Sequence, residues 1–195
     1  MVNHEDVTRR LLDEGARIIA EQGPAGLSMR KLAAAVGTST MAVYTRFGDK
    51  DRLLRAMYSD GFGRLGEGLS AVSRDSAESL LDLGRAYRSF ALENRHLYGL
   101  MFGPVPPDFE PSADNIMTAE ATYQALVDAV VVAVEHAIFV GDPARIARHL
   151  WTVVHGMVSL ELSGKLPANS TDPSKVFDDA LVLAALPFLV PTSED

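Results

Sequence analysis

The stretch from Leu27 to Leu54, LSMRKLAAAVGTSTMAVYTRFGDKDRLL, constrains this chain more than any other. Met29, Leu32, Ala33 and Val36 follow the i, i+3, i+4, i+7 spacing of one helix face. The pattern stops at Gly37, the residue that enters a left-handed C-cap at least cost. Ser39 is placed to cap a second helix, because its hydroxyl accepts from backbone N–H groups two or three residues on, and Val43 and Phe47 give that helix an inward side. Two helices joined by about three residues, with glycine in the turn, form a helix-turn-helix. The outward side of the second helix then carries Thr40, Met41, Tyr44 and Thr45. Hydroxyls and an apolar thioether suit base edges, thymine methyls and phosphates, whereas a merely solvated face more often carries Glu and Lys. From spacing alone a plain helical hairpin fits equally well; the residue types carry the DNA reading.

Net charge, −8 over 195 residues, taken alone speaks against nucleic acid. Its distribution does not: up to Leu65 there are 10 Lys+Arg against 8 Asp+Glu, and beyond it 8 against 18. Arg30, Lys31, Arg46, Lys50, Arg52 and Arg55 supply a local source for phosphate neutralisation. With 47% hydrophobic residues the chain is too apolar for intrinsic disorder, and with no cysteine it has neither disulfides nor thiolate metal sites. The N-terminus MVNHEDVTRR lacks an apolar signal core, and the longest apolar runs, Ala129–Val134 and Ala180–Leu186, fall short of a membrane span. A cytoplasmic protein with no membrane partner is expected.

The rest of the pattern is helical. Asp6 or Thr8 is positioned to cap a first helix that runs to about Gln22, with Val7, Leu11, Ala16 and Ile19 as its buried stripe and Gly23-Pro24 as its stop. Asp49 caps a fourth helix starting at Lys50 and running to about residue 65. The stretch Gly61–Gly66, GFGRLG, matches the dinucleotide fingerprint formally, but that fingerprint needs a preceding strand. It reads instead as a loosening of the end of the fourth helix. Further helices are predicted over Ser76–Asn94, His96–Phe102 and Ala113–Val140, with a proline-rich loop over Gly103–Pro111. Asp142-Pro143 opens a helix through Leu162, and Asp172-Pro173 opens the last, which Pro187 ends or kinks. The expectation is an all-α chain of about nine helices. Residues 1–50 form the DNA-binding domain, 50–65 a linker helix, and 66–195 a second domain.

Ser28-Met29-Arg30-Lys31-Leu32-Ala33, Val36-Gly37-x-Ser39, and Ala42-Val43-Tyr44-x-x-Phe47-Gly48-Asp49-Lys50-Asp51-x-Leu53-Leu54 together resemble the TetR family of bacterial transcriptional repressors. Thr38 and Thr40 depart from the family's usual small or apolar residues; the second lies on the DNA face and bears on which operator is read. The resemblance implies a homodimer on double-stranded, palindromic DNA, released by a small-molecule effector. It makes Lys50 a phosphate contact at a helix N-terminus. Thr40, Met41 and Thr45 are then the base-edge candidates, and Ser28, Arg30, Tyr44 and Lys50 the phosphate candidates, with Ser39 capping the reading helix. Farther on, Arg88–Tyr98 with Leu100-Met101-Phe102, and Trp151-x-x-x-His155-Gly156, resemble the subgroup whose C-terminal domain is named for a Trp-His-Gly signature. That likeness implies a ligand-binding and dimerising domain.

Tyr87, Phe90, Tyr98, Met101, Phe102, Met117, Tyr123, Trp151 and His155 exceed what a minimal helical core requires. They either fill the domain or line a largely apolar effector cavity with a few polar handles. His155, sharing a face with Trp151, fits a hydrogen-bonded core histidine better than a ligand. Glu93-x-x-His96 has the spacing of carboxylate-bridged di-metal bundles, but it occurs once, so no metal is expected. No Ser-His-Asp order, HExxH or P-loop is present, so the expectation is a non-enzyme without cofactor; the alternative is a helical small-molecule-binding protein or enzyme that uses the C-terminal cavity and leaves the N-terminal hairpin idle. Apolar residues on more than one face of the last two helices, from Ile146 to Leu160 and from Val176 to Ala184, suggest cover on two sides. A partner subunit or burial within one chain would supply it; in the family such helices form a four-helix bundle across a two-fold axis.

Overall fold

The computed structural model describes residues 4–72, 79–103, 109–166 and 172–191, and among these residues it contains nine α-helices and no strand. In order they are α1 (His4–Gln22), α2 (Met29–Val36), α3 (Thr40–Phe47), α4 (Lys50–Ser70), α5 (Ser79–Glu93), α6 (Arg95–Phe102), α7 (Ala113–Glu135), α8 (Pro143–Leu162) and α9 (Pro173–Ala185). Short 3-10 turns cover Pro24–Gly26 and Leu186–Phe188. The all-α expectation holds. The predicted start of the fifth helix at Ser76, and most of the proline-rich loop, lie outside the described residues.

Several boundaries differ from the sequence reading, each for a local reason. α1 is already helical at His4, so neither Asp6 nor Thr8 caps it, and its buried isoleucine is Ile18 rather than Ile19. α4 continues through the glycine stretch to Ser70, because Phe62, Leu65 and Leu69 keep a buried stripe running along it. Gly61 packs against the Met101 side chain, which a Cβ would strike, whereas a Cβ at Gly63 or Gly68 would meet nothing. α7 stops at Glu135, and Ala137 turns with φ 52°. Ile138 and Val140 then bond to the C-terminal segment, Val140 N–H donating to Phe188 O and Val190 N–H to Ile138 O. By length and composition α7 could cross a membrane, which its apolar runs taken singly do not reveal; Asn115, Thr122, Ala129, Val130 and Ala133 along it are buried against protein.

The described residues divide between two compact units, one within Met1–Arg64 and Asn94–Glu120, the other within Leu65–Glu93 and Ala121–Asp195. Residues 94–120, assigned to the second domain by sequence, thus group with the first unit. Two polar nodes account for this. Asn115 is 3% exposed and fully satisfied: its amide NH2 donates to Arg55 O at 2.9 Å and Ser59 Oγ at 2.6 Å, while its Oδ1 accepts from the Ser112 N–H and hydroxyl. Arg64 of α4, which reaches Asp13 of α1 at 2.7 Å and Asp60 at 2.5 Å, also donates to Asn94 Oδ1 at 3.5 Å. α6 also packs on α1, and the Phe102 ring lies 5.3 Å from Phe62. In the second unit α5, α8 and α9 pack on one another. Val130, Ala133, Phe139, Ile146, Ala147, Leu150 and Ala184 form a continuous core there.

Burial pushes the Asp60 carboxyl above the ordinary aspartate range, outweighing the pull of the Arg64 guanidinium. A carboxyl raised in the folded state favours the proton-bound form. Its stabilising contribution is therefore complete below the unfolded pKa and is lost as pH rises through the folded one. The Asp60→Asn chain should gain stability relative to the parent as pH rises from below the aspartate range toward neutrality, read as the urea midpoint at each pH. An equal midpoint difference at all pH values would mean that the Asp60–Arg64 attraction offsets desolvation completely.

Candidate nucleic-acid interface

The helix-turn-helix is built by local chemistry that the sequence carries openly. Ser28 accepts from the Lys31 N–H at 3.2 Å and so caps α2; Ser39 accepts from the Ala42 N–H at 3.1 Å and caps α3. Between them Gly37 sits at φ 75°, ψ 36°. The Thr38 N–H reaches back to Ala33 O at 2.9 Å and the Gly37 N–H to Ala34 O at 3.3 Å, the paired bonds of a Schellman turn. Arg10 of α1 adds a guanidinium contact to Val36 O at the end of α2. Met29, Leu32, Ala33, Val43 and Phe47 are buried, and α1 packs on α2, which packs on α3. The turn therefore fixes the angle between the two helices, and the core beneath fixes which side of α3 faces out.

That outer side is open. Met41 is 73% exposed and Tyr44 48% exposed, with Ala42 and Thr45 also exposed; Thr40 is half-buried at the start of the helix. Ser28, Arg30 and Ser39 are exposed beside it. A serine hydroxyl that accepts a capping bond keeps its own O–H to donate, so the capping role leaves Ser28 and Ser39 able to bond a phosphate oxygen. Lys50, in the first turn of α4, donates to Pro24 O at 2.8 Å. An ammonium carries three donors, so this bond holds the side chain in place without exhausting it. Asp49 accepts from the Arg52 N–H at 2.8 Å, and Arg52 remains largely exposed. Sequence reasoning did not single out Ala42 on the outer face of α3, nor the Arg10 contact to the end of α2; an exposed alanine in a helix carries no signal by itself.

The effector candidates separate between the two units. In the second, the Tyr87 hydroxyl lies 3.2 Å from His155 Nδ1 and the Ser159 hydroxyl 3.4 Å from Nε2, while the Trp151 ring is 5.7 Å from Tyr123 and 5.8 Å from His155. Burial holds the His155 imidazole below its ordinary range and so favours the neutral ring. Phe90 is buried in the same unit. In the first unit the Tyr98 ring lies 4.8 Å from that of Phe102, tilted by 48°, and Met101 lies against Gly61. Met117, also in the first unit, is 61% exposed. On α8 and α9, Ile146, Leu150, Val154, Val158, Phe177, Leu181 and Ala184 face inward, and Leu160, Val182 and Leu183 are exposed.

Comparison with known proteins agrees with this architecture. Residues 11–57 match the model of the bacterial regulatory proteins of the tetR family, and residues 80–184 that of the tetracyclin repressor-like C-terminal domain. The HTH-type transcriptional regulator Rv1816 of Mycobacterium tuberculosis is 26% identical, the alignment covering 89% of this chain and 88% of that protein. Among solved structures, a protein of unknown function from Rhodococcus sp. RHA1 is 27% identical with a TM-score of 0.78, over 97% of this chain and 98% of that one. The TetR family regulator PfmR from Thermus thermophilus, 21% identical with a TM-score of 0.72 over 95% of this chain and 100% of its own, shares the fold. With both its N-terminal and C-terminal parts matched, the chain belongs to the TetR family of helix-turn-helix transcriptional regulators, and its chemistry is DNA binding.

Proposed function

We propose that the chain is a homodimeric repressor that occupies a palindromic operator and leaves it when a small, largely apolar molecule binds. The observation that carries the reading is the uncovered outer face of α3, where Met41, Tyr44 and Thr45 stand over a buried Val43 and Phe47. Two copies related by a two-fold axis would place these helices in successive major grooves roughly 34 Å apart. Ser28, Arg30, Tyr44 and Lys50 would bond phosphates and set register, while Thr40, Met41 and Thr45 meet base edges. The exposed Leu160, Val182 and Leu183 of α8 and α9 support a dimer across those helices. Trp151, His155 and Gly156 along α8 support placement in the Trp-His-Gly subgroup. Tyr87, Phe90, Tyr123, Trp151 and His155 offer an apolar lining with two polar handles for the effector. To release DNA, that effector must bind the two states with different affinity. Such a protein works in the bacterial cytoplasm and needs neither cofactor nor metal.

The test is fluorescence anisotropy on the intergenic DNA beside the protein's own gene and on scrambled DNA, over a salt series. Nanomolar preference for the native sequence is expected. Tyr44→Ala and Lys50→Ala should each weaken binding, and Lys50→Ala should lower the salt slope by about one. Feeble binding to both DNAs, together with no enriched sequence after selection from random duplexes, would overturn the proposal.

A further inference from the structure

The outer face of α3 also says which bases it can select. All of α3 is described, and its four exposed positions are Met41, Ala42, Tyr44 and Thr45. Met41 and Thr45, four apart, mark the centre of that face, opposite the buried Val43 and Phe47, and Ala42 and Tyr44 flank it. None of the four is Arg, Lys, Asn, Gln, Asp or Glu. The one charged residue of the helix, Arg46, is half-buried and follows Val43 by three positions, on the edge adjoining the inward side. Guanine is distinguished in the major groove chiefly by Arg or Lys on O6 and N7, adenine by Asn or Gln on N6 and N7, and cytosine by a carboxylate on N4. This face has none of those groups. Its Tyr44 and Thr45 hydroxyls both donate and accept and so discriminate little between bases, whereas the Met41 thioether methyl, the Ala42 methyl and the Thr45 γ-methyl match one feature of the groove, the C5 methyl of thymine.

We infer that the base pairs beneath α3 are selected as thymines through their C5 methyl groups, without a guanine fork contact there. The inference rests on the regulator reading above and names the class of operator. Met41 is the main reader: at 73% exposure its side chain is in water in the free protein, and covering it against a methyl removes apolar surface from water on both partners. One buried methyl is worth about fourfold in affinity. Arg30, exposed on α2, stands on a different helix, so a guanine that it reads is not one selected by the exposed positions of α3.

The experiment uses the full chain and the site recovered by selection from random duplexes. Each thymine is replaced singly by deoxyuridine, which deletes only the methyl, and affinity is measured at one salt concentration. At least two thymines per half-site should each lose about fourfold. The penalty at one of them should disappear in Met41→Ala. Thr45→Val, which keeps the γ-methyl and drops the hydroxyl, should retain the methyl dependence. Indifference to uracil throughout, or a central guanine whose replacement by 7-deazaguanine abolishes binding in the Arg30→Ala chain, would overturn the inference and leave the regulator reading standing. Selection that returns no preferred sequence would instead overturn the regulator reading itself.

Discussion

Replacing Gly37 with valine should weaken specific DNA binding by about 30- to 150-fold, while Gly37→Asn should leave it close to the parent. At φ 75°, ψ 36° Gly37 occupies the left-handed region, and a Cβ built there meets no atom within 4 Å. Any penalty is therefore torsional. A β-branched residue in that region costs about 2–3 kcal/mol, whereas asparagine visits it readily. Valine relieves the strain by leaving the left-handed region, which breaks the bonds from the Thr38 and Gly37 N–H groups to Ala33 O and Ala34 O and releases the angle between α2 and α3. If only the left-handed turn is competent to bind, the apparent dissociation constant rises by the inverse of its population, which converts 2–3 kcal/mol into the stated range. The same strain should lower the stability of the N-terminal unit. Anisotropy and urea denaturation of the valine, alanine and asparagine series check the prediction. Equal affinity across the series would mean that the turn does not set the α2–α3 angle.

Gly37 also shows why this part of the fold was legible in sequence. A left-handed cap, a serine N-cap and an i, i+4 apolar pair are each completed within a few residues, so their causes are visible locally. The Asp-Pro starts of α8 and α9 behave alike: Asp142 accepts from the Ala144 N–H and Asp172 from the Ser174 N–H, both at 2.9 Å. What was not legible depends on partners far along the chain. Four glycines from Gly61 to Gly68 argue against a helix by propensity, yet α4 continues because Leu65 and Leu69 are buried. Asn115 reads as an ordinary polar residue near a helix start; only its contacts with Arg55 and Ser59 make it a buried node. The effector candidates illustrate the same limit. Aromatic content identified Tyr87, Trp151 and His155, which do meet, but it could not separate them from Tyr98, Met101 and Phe102, which pack in the other unit.

Phe177→Ala should destabilise the C-terminal unit by about 3–5 kcal/mol, a second large effect and one far from DNA. Phe177 is 2% exposed on α9, so its removal deletes a whole buried ring. The site cannot collapse easily, because its wall is held by charge. The Arg88 guanidinium of α5 lies 5.5 Å from the Phe177 ring centroid and grips Glu161 of α8 through Nε and Nη2 at 2.7 and 2.6 Å, with Nη1 on Ser174 Oγ at 3.1 Å. One arginine thus ties α5 to both α8 and α9. A little farther along, Leu181 lies against Gly84, where a Cβ would fall 2.4 Å from its Cδ1, so α9 has no room to slide inward and fill the void. Arg88→Met keeps most of the packing but leaves Glu161 partly buried without its partner, and should cost about 1.5–3 kcal/mol. The two substitutions share a partner set and should not add: removing the ring also removes the face on which the guanidinium rests. A double-mutant cycle by urea denaturation reads that coupling. Strict additivity would mean that Phe177 and Arg88 stabilise α9 independently, and a loss below about 1 kcal/mol for Phe177→Ala would mean that α9 is not anchored through this ring. Because Val182 and Leu183 lie on the same helix as Phe177, a loosened α9 should also weaken any dimer that uses its outer face, giving sedimentation a readout that follows the stability loss.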